Sequence, residues 1–194
     1  MPVGNGNTDA ARIWTTADVY AGPYVTAAPT NLTTALNTLG YSLVGLMSQD
    51  DGIKQTFSAD ESDKFAYGSI LVRRTSIKDK VQFGFTAWED SDIVYKLAHP
   101  GSSSTTTGGV TTRKIKARNI GLAIRSLVLE LSDGSVAKRV WIPKAQVLLN
   151  GDQPLKDNEI AGYPLTVDAL AYTSGGETFF YQELTNDTSA TAGS

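Results

Sequence analysis

The sequence predicts a mainly β fold, two packed antiparallel sheets forming a sandwich or partial barrel, with one flanking α-helix. Three observations carry that expectation. The chain holds 22 threonines, 18 glycines and 8 tyrosines, a balance that favours pleated, turn-rich chains over helices. Apolar residues alternate with a period of two, most clearly at Val81, Phe83, Phe85 and Ala87, the pattern of a strand with one face in a core. Asp-Gly pairs at 51–52 and 133–134 sit between apolar runs, and a glycine there supplies the positive φ that tight turns need. A length of 194 residues suits a single domain with its own core.

Taken in order, residues 1–12 have no apolar period and read as a flexible arm; the Gly-Asn-Gly at 4–6 is followed by no helix and carries no phosphate-loop signal. Trp14 to Ala21 read as a first strand. Pro23 and Pro29 punctuate a loop, after which Thr30 or Asn31 caps a weak helical turn through Leu39. Residues 42–49 and 53–58 flank Asp51-Gly52 and are expected to pair as a hairpin. The polar, acidic stretch that follows, to about Lys64, reads as a mobile loop. Residues 69–78 and 80–88 read as a second strand pair. The period then changes: acidic residues at 89–92, apolar Ile93, Val94 and Leu97, and Pro100-Gly101 predict a helix. Residues 101–109, GSSSTTTGG, read as a structureless surface loop. Residues 113–118 and 120–132 come next, and Asp133-Gly134 turns the chain into 136–142. A loop at 150–162 leads to a last pair, 163–172 and 177–183, joined by Thr173 to Gly176. The tail, 185–194, is expected to fray.

Motifs for chemistry are sparse. The chain has no cysteine, which removes disulfides, thiolate metal sites and cysteine nucleophiles together. No run approaches the roughly 18 apolar residues of a membrane helix, so no membrane insertion is expected. The single histidine, His99, ends the helix and reads as a surface residue, with no nucleophile or orienting acid placed beside it by any motif. Asp50, Asp51, Asp60, Glu61 and Asp63 do not fit the spacing of a Ca²⁺ loop. Arg113, Lys114, Lys116 and Arg118 lack the interleaved aromatics of a single-strand nucleic-acid binder. No enzyme activity, cofactor or metal is expected.

Charge is instead arranged in blocks. Residues 49–65 hold five acids and two bases, 66–88 four bases and one acid, and 151–194 seven acids and one base. Opposite-sign blocks on one small fold suit a subunit that docks head to tail on its own copies.

Over residues 40–95 the order of motifs is distinctive. Leu39-Gly40-Tyr41 precedes Val44-Gly45-Leu46-Met47-Ser48, then Asp51-Gly52-Ile53, the acidic Ser58-Ala59-Asp60-Glu61-Ser62-Asp63, and Phe83-Gly84-Phe85-Thr86-Ala87-Trp88-Glu89 leading into the helix. In this order the chain resembles the major tail tube proteins of long-tailed, siphovirus-type bacteriophages; the hairpin at 127–147 also looks like the family's second half. The resemblance implies a structural virion protein whose six subunits form a ring around a lumen, with rings stacked into a tube. Its implied partners are other copies of itself, a tape-measure protein, and terminator and tail tip proteins, with DNA only passing through. The implied location is the virion tail, reached by assembly in the host cytoplasm. The long loop is implied to reach the neighbouring ring, which makes Asp50, Asp51, Asp60, Glu61, Asp63 and Lys64 the expected inter-ring docking residues. A conduit should not grip phosphate, because each basic contact adds affinity through counterion release; Gln82, Gly84 and Thr86 are therefore the expected lumen residues. A monomeric β-sandwich binding or virion decoration module is the other reading, and oligomeric state separates the two.

Overall fold

The structure, a computed structural model, describes residues 11–24, 26–115 and 123–188, without the side chains of residues 61, 62 and 76–78. Gly4 to Gly6, most of the expected arm and tail, and Lys116 and Arg118 of the basic run lie outside the described residues, as does the start of the run at 120.

The strands are β1 (Thr16–Pro23), β2 (Ser42–Leu43), β3 (Lys54–Ala66), β4 (Ile70–Ala87), β5 (Ser103–Thr107) and β6 (Val110–Lys114), then β7 (Ile124–Asp133), β8 (Val136–Leu149), β9 (Tyr163–Ala169), β10 (Tyr172–Ser174), β11 (Glu177–Phe179) and β12 (Gln182–Thr185). One α-helix among the described residues, α1 (Asp92–Ala98), follows β4, and a 3-10 turn spans Leu36–Leu39. The mainly β class with a single helix is as expected. The strands form one eight-stranded antiparallel sheet in the order β2-β1-β7-β8-β9-β4-β3, with β12 also on β8, beside two small sheets, β5-β6 and β10-β11.

The core follows the pleat. Val81, Phe83, Phe85 and Ala87 are buried with Val19, Leu127, Leu129, Ile142, Val147, Leu165 and Val167, so alternate residues of β1, β7, β8, β9 and β4 share one apolar mass. Helix α1 closes one side of it. Ser91 caps the helix by accepting from the Val94 N–H, and Val94, Tyr95, Leu97 and Ala98 turn inward. The opposite face of β7 and β8 holds a second cluster of Leu36, Tyr41, Val128 and Trp141. There Trp141 Nε1 donates to the Tyr41 hydroxyl at 2.9 Å, which bonds Ser126 Oγ at 2.9 Å; buried polar atoms of this kind require such partners. Ser126 sits at a bulge, where pairing jumps from Arg125↔Ala145 to Leu127↔Ile142. The bulge accommodates Pro143, which has no N–H for a ladder.

Several expectations are corrected. Asp51-Gly52 does turn the chain, with Gly52 at φ 56°, but the flanking segments do not pair. Residues 42–48 spend their hydrogen bonds elsewhere: Val44 N donates to Val19 O at 2.8 Å, Trp88 N to Leu46 O at 2.8 Å and Ser48 N to Thr86 O at 2.9 Å. The segment thereby ties the β1 side of the sheet to the end of β4. The acidic stretch is no loop, since residues 54–66 form β3, paired along β4. Nor do residues 69–78 and 80–88 form a pair; they are one strand, β4, of 18 residues. The run 101–109 is ordered as β5 and the Gly108-Gly109 turn of a hairpin with β6. Residues 163–169 pair with β4 and β8 instead of folding back on 177–183; only the short β10-β11 hairpin uses the turn at Thr173 to Gly176.

Candidate functional site

Two surfaces built on β4 are the strongest candidates for function. The first is the outer part of the β3-β4 hairpin. Strand β4 pairs with β9 only over Val81–Ala87, so residues 70–80 and their β3 partners project beyond the sheet, by about 35 Å at the rise of an extended strand. The chain reverses at the tip through left-handed backbone at Gly68 (φ 84°) and Ser69 (φ 61°).

Directly opposed residues on paired strands share a face, so the register sorts the arm. Phe57, Ala59, Asp63 and Phe65 lie on the side that continues the core, opposite Val81, Asp79, Arg74 and Leu71. Phe57 is 66% exposed and Phe65 62%. Asp63 and Arg74 form a bidentate pair at 2.8 and 3.1 Å, and that hydrogen-bonded guanidinium holds the Asp63 carboxyl below the usual carboxylate range. On the other side Lys64 faces Arg73 directly. Tyr67 at the tip is wholly exposed, and Ile70, Leu71 and Val72 are exposed too. A two-stranded ribbon with apolar side chains in water is marginal alone, and such an exposed apolar patch marks a contact surface.

The second surface is the face of β4 turned away from the core. Gln82, Gly84 and Thr86 sit on it together, in register with Asp168, Thr166 and Pro164 of β9. Gln82 Nε2 donates to Asp168 Oδ1 at 2.5 Å, and Lys80 Nζ lies 3.6 Å from the same oxygen, so the charges here are matched. A Cβ at Gly84 would meet nothing nearer than the Leu165 carbonyl at 3.9 Å, which leaves that stretch of the face open.

The structure divides the six residues expected to dock. Asp60, Asp63 and Lys64 lie on the projecting arm, as does the backbone of Glu61, whose side chain is outside the described residues. Asp50 and Asp51 are at the other end of β4, in the turn that enters β3. There the Thr86 hydroxyl and then Lys54, 3.6 Å away, hold the Asp51 carboxyl below its ordinary range. This turn borders a groove of about 590 Å³ lined by Thr86, Trp88, Asp152, Glu159, Ile160 and Pro164 among others.

Other residues weighed from sequence have structural roles. Arg113 is engaged by Asp90: Nη1 bonds its carboxylate, Nη2 donates to its carbonyl at 2.9 Å, and the guanidinium lies 4.7 Å from the Tyr95 ring centre. His99 packs edge-on between Tyr95 and Tyr163 at 4.9 and 6.4 Å, and burial lowers its pKa. Among the described residues, no group of three or more His, Cys, Asp or Glu comes together as a metal site. Sequence reading missed Phe57, Phe65, Tyr67 and Leu71 as surface residues. The available signal was the Tyr-Gly-Ser turn at 67–69 between two runs of extended character.

A sequence model of the family described as phage tail tube protein matches residues 5–193. No curated protein matches the chain.

Proposed function

The chain belongs to the phage tail tube protein family, and we propose that this structural protein of the phage tail is a ring-forming subunit, six copies to a ring, whose stacked rings enclose the path of the genome. The observation that supports this most is the β3-β4 hairpin. Its two strands reach far past the sheet and carry exposed phenylalanines that nothing within the described chain covers. A neighbouring copy in the next ring supplies the missing cover. Edge-to-edge joining of sheets within a ring removes the free strand edges that a soluble β protein must otherwise protect.

Gln82, Gly84 and Thr86 line the lumen in this reading. Their face balances Lys80 against Asp168, which suits a wall that DNA must slide past without counterion-release binding. A tape-measure protein fills the lumen during assembly, and terminator and tip proteins close the ends. Assembly takes place in the host cytoplasm before the tube joins the virion.

Replacing residues 58–80 with a short turn tests the role of the arm. The trimmed protein is expected to unfold within a few degrees of the parent, because the core lies elsewhere, and to form no stacked tubes. Tubes of ordinary length from the trimmed protein would contradict the assignment.

A further inference from the structure

Two of the charged residues expected to dock, Lys64 on the arm and Asp50 in the turn that enters β3, stand at opposite ends of the β3-β4 hairpin, and we infer that they belong to the two halves of a single contact between successive copies. The hairpin tip of one copy, with Lys64, Arg73 and Tyr67, seats in the groove of the next, between Asp50 and Asp152 and over Trp88 and Ile160. This rests on the tube reading above and adds to it the receiving site.

The tip is built for an acidic partner. Lys64 and Arg73 are direct cross-strand neighbours, an arrangement that like charges make unfavourable, and neither has an ion-pair partner among the described residues. Arg74 beside them is already engaged by Asp63. Tyr67 offers a fully exposed ring at the same end.

The groove has the complementary character. In its rim Asp51 is met by Lys54 and Glu159 by Lys156, while Asp50 and Asp152 have no ion-pair partner among the described residues. Trp88, Ile160 and Pro164 supply apolar lining in the same groove, and Ile160 is 57% exposed. Two unmatched bases and an aromatic ring thus meet two unmatched acids and the apolar groups of a mostly polar groove, the pairing that sets register between docking surfaces.

The placement suits repetition. Strand β4 runs 18 residues from the tip at Ile70 to Ala87 beside the groove, about 60 Å of extended chain. Moving a copy along that direction carries its tip toward its neighbour's groove. Tip and groove are different surfaces of one chain, so the contact is head to tail and repeats without closing, as a stack of rings requires.

Charge reversal tests it. Lys64→Glu with Arg73→Glu, and separately Asp50→Lys with Asp152→Lys, are each expected to raise the concentration needed for tube assembly at least about tenfold. The quadruple variant restores assembly to within about threefold of the wild type, since it re-pairs the charges. In parallel, Tyr67→Cys with Ile160→Cys in this cysteine-free chain is expected to give a ladder of disulfide-linked multimers on oxidation. Unfolding temperatures verify that each variant is folded. If the wild type forms tubes, but the double variants assemble equally well or the folded quadruple variant is not rescued and no ladder appears, the groove assignment is overturned and the tube reading stands. If wild-type tubes form and Lys64→Glu with Arg73→Glu abolishes retention of duplex DNA without changing assembly, the tip serves nucleic acid and the inference fails. A wild type that never assembles contradicts both.

Discussion

Gly45 sits at φ 105° beneath the carboxylate of Glu89, so close that a Cβ would lie 2.3 Å from Glu89 Cδ. Glu89 Oε1 accepts from the Leu46 N–H at 2.9 Å, holding the segment that ties the β1 side of the sheet to β4. Gly45→Ala combines a left-handed backbone with displacement of that carboxylate, and is expected to cost about 1–3 kcal/mol in denaturant unfolding; a loss below about 0.5 kcal/mol, the ordinary surface value, would contradict it. Asp90 accepts from the Tyr163 hydroxyl at 2.8 Å and pairs with Arg113, and these two, the tyrosine first, lower its pKa. Because the folded-state value is the depressed one, its stabilisation is present above the ordinary aspartate range and is lost as pH falls through the lower folded value. Asp90→Asn should therefore lower the unfolding temperature at about pH 6 and matter less at about pH 3. A gap that stays constant or widens on acidification would contradict this. The inward set of β4 was legible at this scale because a period of two is local. The Gly45–Glu89 contact was not, because its partners are far apart in sequence and no pattern links them.

At the scale of elements, helix α1 was legible from its own residues: acidic residues at its start, apolar Ile93, Val94 and Leu97, and Pro100-Gly101 beyond the end; its Ser91 cap emerged only in the fold. Hairpin β3-β4 was hidden because residues 58–64 are rich in Asp, Glu and Ser, poor strand formers, and are held in the extended state by cross-strand pairing alone. The Asp51-Gly52 turn was correctly placed and wrongly paired, since its flanking segments bond to β1 and β4. Such an arm should open easily before assembly. Hydrogen exchange is expected to be fast at residues 58–66 and 70–78 in free subunits and slow for Val81–Ala87, which lie between two strands. Assembly should slow the arm by at least about tenfold. Equal exchange in free and assembled protein would remove the arm from the interface.

For the whole molecule, the sequence announced a β-rich chain with its charge in blocks, and both follow from composition and order alone. The sheet topology was out of reach, because β4 finds β9 and β1 finds β7 across long stretches of chain, and non-local pairing leaves no local trace. Family membership sets the role as a structural tail protein, and in the proposed assembly the projecting arm and the distant groove are the two surfaces that join successive copies. Negative-stain electron microscopy of the purified wild-type protein across a concentration series tests this most directly. The expected result is hollow rings and tubes about 100 Å wide, the size of six domains of this length around a channel. Compact single particles at every concentration would contradict it.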